Sequence, residues 1–150
     1  MERDVDTLVE RVRRALAGVA GIRVAYLFGS RVTGRARADS DLDLAVKYDP
    51  VLDTAGRLRL ELDVIAALAD ELGSLGERAD VVDLDRASSA LAFRAIRDGR
   101  RVVERDPGER VRLEARIART YDDDAPRREV IRQAAARAAR RLGAEVPGRS

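Results

Sequence analysis

Two apolar runs separated by a polar stretch set the first limits on this chain. Residues 22–28 read IRVAYLF and residues 41–48 read DLDLAVKY; between them come Gly29, Ser30 and ten further residues. The first run has the β-branched and aromatic content of a buried strand, and Gly29 ends it. The second alternates. Successive strand side chains point to opposite sides, so Asp41, Asp43 and Ala45 share one face while Leu42, Leu44 and Val46 share the other. One face packs and the other presents two acids. The intervening Ser30 to Ser40 stretch carries Arg31, Arg35 and Arg37 with Gly34 and no apolar periodicity, which predicts a loop or a short helix over the acids.

The residue types that are missing narrow the chemistry further. There is no cysteine and no histidine in 150 residues. Disulfides, thiolate metal sites, cysteine nucleophiles, Ser/His/Asp hydrolysis and the usual zinc sites are excluded together. Carboxylates are left as the obvious catalytic groups. At 45% hydrophobic and 37% charged, the chain suits one globular domain with a heavily charged surface. Aromatics supply only 3%, so the core must be built from Leu, Val, Ile and Ala.

Basic residues number 29 against 27 acidic ones, a net charge of +2, which is too balanced to predict direct nucleic-acid binding. Lys47 is the only lysine. The N-terminal MERDVDTLVERVRRAL is charged and amphipathic, without the apolar run of a signal peptide, and no window approaches the roughly 20 apolar residues of a membrane span. The expectation is a soluble, cytoplasmic protein.

Helical spacing of Val5, Leu8, Val9, Val12, Leu16 and Val19 predicts an amphipathic helix ahead of the first strand. A second is predicted from Thr54 to Leu72, with Leu58, Leu62, Ile65, Leu68 and Leu72 facing the core. The run ADVVDLD reads as a short strand, ASSALAFRAIRDG as a helix starting after Ala87 or Ser88 and stopping at Gly99, and RRVVER as a last strand. Asp106, Pro107 and Glu109 form a helix-start signal. Arginine-rich helices follow, from Glu109 to Tyr121 and from about Ala125 to Leu142, broken at Asp122 to Asp124, and the tail VPGRS is expected to be loose. The order of elements predicts an α/β (α+β) fold: a small mixed sheet with helices over residues 1–105 and a helical C-terminal extension of the same domain over 106–150.

Gly29 lets backbone approach a phosphate and Ser30 offers a hydroxyl, while Asp41 and Asp43, two residues apart on one strand face, can reach a pair of magnesium ions. A third carboxylate from a neighbouring strand completes such a site. Asp80 and Asp83 are the candidates, and by strand parity only one of them can face the pair. Alone, a Gly-Ser pair is ordinarily a turn, and an Asp-x-Asp is ordinarily surface charge. At this spacing the combination is expected by chance in on the order of half a percent of chains of this composition. A nucleotide site is therefore the better account. The Asp122 to Asp124 cluster reads as a solvated helix break, and the arginines from Arg127 to Arg141 as a solvated helix face.

The stretch GSRVTGRARADSDLDLAV resembles the signature of the minimal nucleotidyltransferases, members of the DNA polymerase beta superfamily: Gly-Ser, ten residues, Asp-x-Asp. ADVVDLDRASSALAFRAIRDGRRVVERD resembles the family's third-carboxylate strand with the helix and strand that follow. RVRLEARIARTYDDDAPRR resembles the C-terminal helix of its antitoxin members. The resemblance implies a polymerase-beta-type fold, Asp41 and Asp43 as metal ligands, Gly29 and Ser30 as the phosphate-binding turn, and Asp80 as the third carboxylate, with Asp83 second. Ser40 is counted with the nucleotide-binding residues. Two Mg2+ ions and ATP as substrate are implied as well.

Small members of this family pair with a HEPN-type ribonuclease toxin and transfer AMP from ATP to one of its tyrosines. The resemblance thus implies a hetero-oligomer with such a toxin. A small-molecule nucleotidyltransferase, like the aminoglycoside-modifying relatives, and a non-catalytic toxin-binding antitoxin are the alternatives.

Overall fold

A computed structural model describes residues 2–145; the expectation for the VPGRS tail lies outside them. The chain runs α1 (Glu2–Leu16), β1 (Ile22–Phe28), α2 (Ser30–Thr33), β2 (Asp43–Tyr48), α3 (Thr54–Leu72), α4 (Ser74–Glu77), β3 (Asp80–Asp83), α5 (Ser89–Asp98), β4 (Arg100–Glu104), α6 (Pro107–Asp123) and α7 (Ala125–Glu145). The four strands form one mixed sheet in the order β3-β2-β1-β4. β1 is antiparallel to both β2 and β4, and β2 is parallel to β3.

Each sheet face builds its own core. Leu42, Leu44, Val46 and Tyr48 pack with Val9, Val12 and Leu16 of α1 and with Leu60, Val64 and Leu68 of α3. On the other side, Val24, Tyr26, Phe28 and Ala45 pack with Ala92 and Ala95 of α5 and with Leu113 and Ile117 of α6. β1 changes parity along its length. Ile22 shares a face with Ala25 and Leu27, and a register irregularity between Ile22 and Val24 supplies the extra residue that such a switch needs. The Tyr26 hydroxyl donates to the Glu114 carboxylate at 2.7 Å, so the buried phenol ties α6 to the sheet through its polar tip.

The helix caps follow the sequence signals. Ser88 accepts from the Leu91 N–H at 3.2 Å to open α5, and Asp106 accepts from the Gly108 N–H at 2.9 Å to open α6, with Pro107 in the first turn. The expected core stripe of α3 is corrected in part. Leu68 is buried and Leu72 packs against the core as expected. Leu58 and Leu62, however, are 59% and 61% exposed, and Leu60 and Val64 join Leu68 on the inward side. At 100° per residue, Arg57 stands on the same side as those three, which breaks the apolar pattern a reader follows. The guanidinium is accommodated there because Asp83 of β3 and Asp85 each accept from it, at 2.9 and 3.0 Å.

The second strand also begins later than its alternation suggests. Asp41 and Leu42 precede β2, yet Leu42 is fully buried and its carbonyl accepts from the Asp80 N–H at 2.8 Å. The in-and-out alternation therefore extends past the strand's formal start. Among the described residues no helix is long and apolar enough to cross a membrane.

Candidate active site

The Gly-Ser turn and the aspartates meet at one end of the sheet. β1 ends where β2 and β3 begin, because β1 is antiparallel to β2 while β2 and β3 run together. Phe28 is the register partner of Asp43, and Asp43 is the register partner of Asp80. Neighbouring residues in register point to the same side of a sheet, so the Asp43 and Asp80 side chains stand next to each other. Asp41 follows the loop and is exposed, two residues before Asp43.

Gly29 is fixed by this arrangement. Its φ of 83° and ψ of −160° belong to backbone that L side chains rarely adopt, and a Cβ there would overlap the Asp43 carboxylate. The absent side chain is what brings the backbone of the turn against the acid. Ser30 then opens the single turn α2.

Asp43 lies in a charged and partly dry position. Burial is the main influence lifting its carboxyl above the ordinary value; the charge of Asp80 and, more weakly, that of Asp41 push the same way, while Arg94 pulls it down. Carboxylates crowded like this are stabilised by a cation between them. Among the described residues no three carboxylates close into a ready-made metal cage. Magnesium does not require one, since it takes one or two protein carboxylates and completes an octahedral shell with substrate phosphates and water. The hard oxygen donors of Asp43 and Asp80, with Asp41 beside them, fit that ion.

The loop between the turn and the acids is held by its own residues. Arg31 donates to the Ser40 carbonyl at 2.6 Å, and the Ser40 hydroxyl oxygen accepts from the Arg37 N–H at 2.8 Å. Arg31 is thereby a brace rather than a free cation, and Ser40 closes the loop next to Asp41.

Asp83 stands apart from the group. Its register partner is Val46, which belongs to the opposite core, and its carboxylate is occupied by Arg57 and by the Asp85 N–H at 2.9 Å. Arg94, not singled out by the sequence, lies near this group. Its guanidinium carbon lies 5.7 Å from the centroid of the Phe28 ring. Nothing in the sequence marks this residue, since at 100° per residue it points well away from Ala92 and Ala95, the inward residues of α5, and it is exposed. Tyr121, left undecided between core and contact by the sequence, stacks on Phe93 with 4.1 Å between ring centroids and carries Arg128 over its ring.

A strand end that abuts a side-chain-free turn and presents adjacent carboxylates is a layout able to hold nucleotide phosphates together with a divalent metal. The chain belongs to the polymerase beta nucleotidyltransferase family: residues 10–108 match the family model described as "Polymerase beta, Nucleotidyltransferase".

Protein adenylyltransferase MntA of Aphanizomenon flos-aquae is 34% identical to it over 103 residues, 64% of this chain and 65% of that protein; the match thus spans less than two thirds of the relative's length. Among solved structures, a toxin-antitoxin crystallised with AMP-PNP superposes with a TM-score of 0.64 at 25% identity, covering 84% of this chain and 97% of that one. A tri-AMPylated Shewanella oneidensis HEPN toxin in complex with MNT antitoxin gives a TM-score of 0.54 at 22% identity, covering 89% of this chain and 98% of the other, a likeness of fold.

Proposed function

We propose that this chain is a magnesium-dependent protein adenylyltransferase acting as an antitoxin, which transfers AMP from ATP to a tyrosine of a HEPN-type ribonuclease toxin. The observation that carries the reading is the Asp43 carboxylate held between Gly29 and Asp80 at the end of the sheet. The names of the similar proteins supply the acceptor class: one relative is a protein adenylyltransferase, and one structural neighbour is complexed with an AMPylated HEPN toxin. Dependence on ATP assigns the activity to the cytoplasm.

Gly29 and Ser30 receive the triphosphate, with Ser40 at the far side of the loop. Asp41, Asp43 and Asp80 hold the magnesium ions, two in the arrangement proposed here. Bound magnesium neutralises phosphate charge and orients the reacting oxygens. The tyrosine oxygen attacks the α-phosphorus, the bond from that phosphorus to the bridging oxygen breaks, and pyrophosphate leaves with the electron pair. Asp80, exposed at the rim of the site, takes the phenolic proton.

Purified protein mixed with toxin, magnesium and α-labelled ATP is expected to label the toxin. The double variant Asp41→Asn/Asp43→Asn should lose at least about 100-fold in rate, since even outer-sphere partners of metal ligands cost 10–100-fold. Undiminished transfer by that variant defeats the proposal.

A second reading, stoichiometric toxin binding, is favoured by one observation: α7 buries none of its described side chains and so has a surface free for a partner. Inhibition of the toxin that needs neither ATP nor Asp43 marks that outcome.

A further inference from the structure

We propose that Arg94 contacts the substrate and binds the nucleotide's phosphates beyond the first, an inference that rests on the nucleotide site proposed above. α5 lies on the face of the sheet that carries Asp43, packed there through Ala92 and Ala95. Arg94 stands on an exposed flank of the same helix. Its guanidinium rests near the ring of Phe28, the residue that leads directly into Gly29 and Ser30 and pairs with Asp43.

Arg94 is one of several arginines without an ion pair among the described residues, and the one of them whose guanidinium lies over Phe28 at the edge of the site. Arg97, one turn further, pairs with Asp98 at 3.0 Å; Arg57 is taken by Asp83; Arg31 is spent on the loop carbonyls. Among the described residues Arg94 makes no ion pair and no side-chain hydrogen bond, and its guanidinium carbon lies 5.7 Å from the Phe28 ring centroid. The nearby aspartates are committed to metal in the proposed complex. A planar guanidinium with five donors, exposed beside the strand end that leads into Gly29 and Ser30, is then available to a triphosphate bound at that turn. When the bond to the α-phosphorus breaks, the departing pyrophosphate gains negative charge, and Arg94 stabilises it there without moving.

An acidic side chain of the acceptor would satisfy the same guanidinium, and nucleotide binding without acceptor separates the two sources. The full chain is titrated calorimetrically with magnesium and a non-hydrolysable ATP analogue, and separately with AMP. For Arg94→Gln, triphosphate affinity should fall about 10- to 100-fold, as for loss of a hydrogen bond to a charged group. AMP affinity should stay within about twofold, and Arg94→Lys should recover part of the loss.

Wild-type triphosphate affinity in Arg94→Gln overturns the assignment, as does an equal loss for both ligands or a change confined to the Michaelis constant for the acceptor. A wild-type protein that binds no triphosphate overturns the proposed function and this inference together. Normal wild-type binding with an unaffected Arg94→Gln overturns the inference alone.

Discussion

At the scale of single residues, Asp43 is in conflict with its surroundings until a cation arrives. Its folded-state carboxyl is raised above the ordinary value by burial and by Asp80. A carboxyl so raised contributes stability that is fully present below its unfolded value and is lost as pH rises through its folded one. At neutral pH Asp43 is ionised and the fold carries the repulsion. In EDTA, Asp43→Asn should melt above wild type at neutral pH, with the gap shrinking as pH falls below the ordinary carboxylate range. Magnesium should raise the wild-type melting temperature and leave the variant's unchanged. A gap that does not vary between acid and neutral pH rules this account out.

The Gly-Ser turn and the two aspartates were legible in the sequence because spacing and strand parity are local. Strand parity alone left Asp80 and Asp83 open, and only the resemblance favoured Asp80; which side each faces depends on the register of β3 and on an ion pair to Arg57 in a separate helix. Arg94 was illegible for the same reason, its relation to Asp43 being made only by packing.

At the scale of elements, caps were readable and orientation was not. Ser88, Gly99, Asp106 and Pro107 act through bonds or torsions within a few residues of themselves, and they bound α5 and α6 as expected. α3 has leucines on more than one side, so its buried face is decided by what lies opposite. Arg57 anchors the first turn to Asp83 and Asp85, and Lys47 reinforces Asp85 at 2.8 Å. Burial works against the ionised form of Asp85, but the hydrogen bonds from Lys47 and Arg57 outweigh it and hold its carboxyl below the usual range. That rotation sends Leu60 inward and Leu62 outward. Leu60→Ala should cost about 2–3 kcal/mol in chemical denaturation, whereas Leu62→Ala should stay within about 0.5 kcal/mol. The opposite ranking would restore the face that the heptad-like spacing suggests.

At the scale of the whole molecule, the two helices after β4 belong to different mechanical classes. α6 is part of the body: Leu113 and Ile117 are buried in the core beside α5, and Tyr26 bonds Glu114. α7 is not. Its 21 residues bury no described side chain, and Val130, Ile131 and Leu142 are exposed on one side among Arg127, Arg137 and Arg141. Its main attachment is Arg128, which lies over the Tyr121 ring and donates to the Tyr121 carbonyl.

A helix of this length gains little from its own backbone in water and is ordinarily held by an apolar face against something else. In the proposed function that something is the toxin. Among the described residues, a chain ending at Asp124 forfeits chiefly the Arg128 contact, about 1 kcal/mol, so its melting temperature should fall by roughly 2–4 °C. Its affinity for a non-hydrolysable ATP analogue should match that of the full chain. Co-elution with purified toxin on size exclusion should disappear, and labelled-AMP transfer should survive only at high toxin concentration, because the site is intact and the acceptor is no longer retained. A truncated chain that still co-elutes with the toxin shows that docking uses the body of the domain instead, with α7 free of that role.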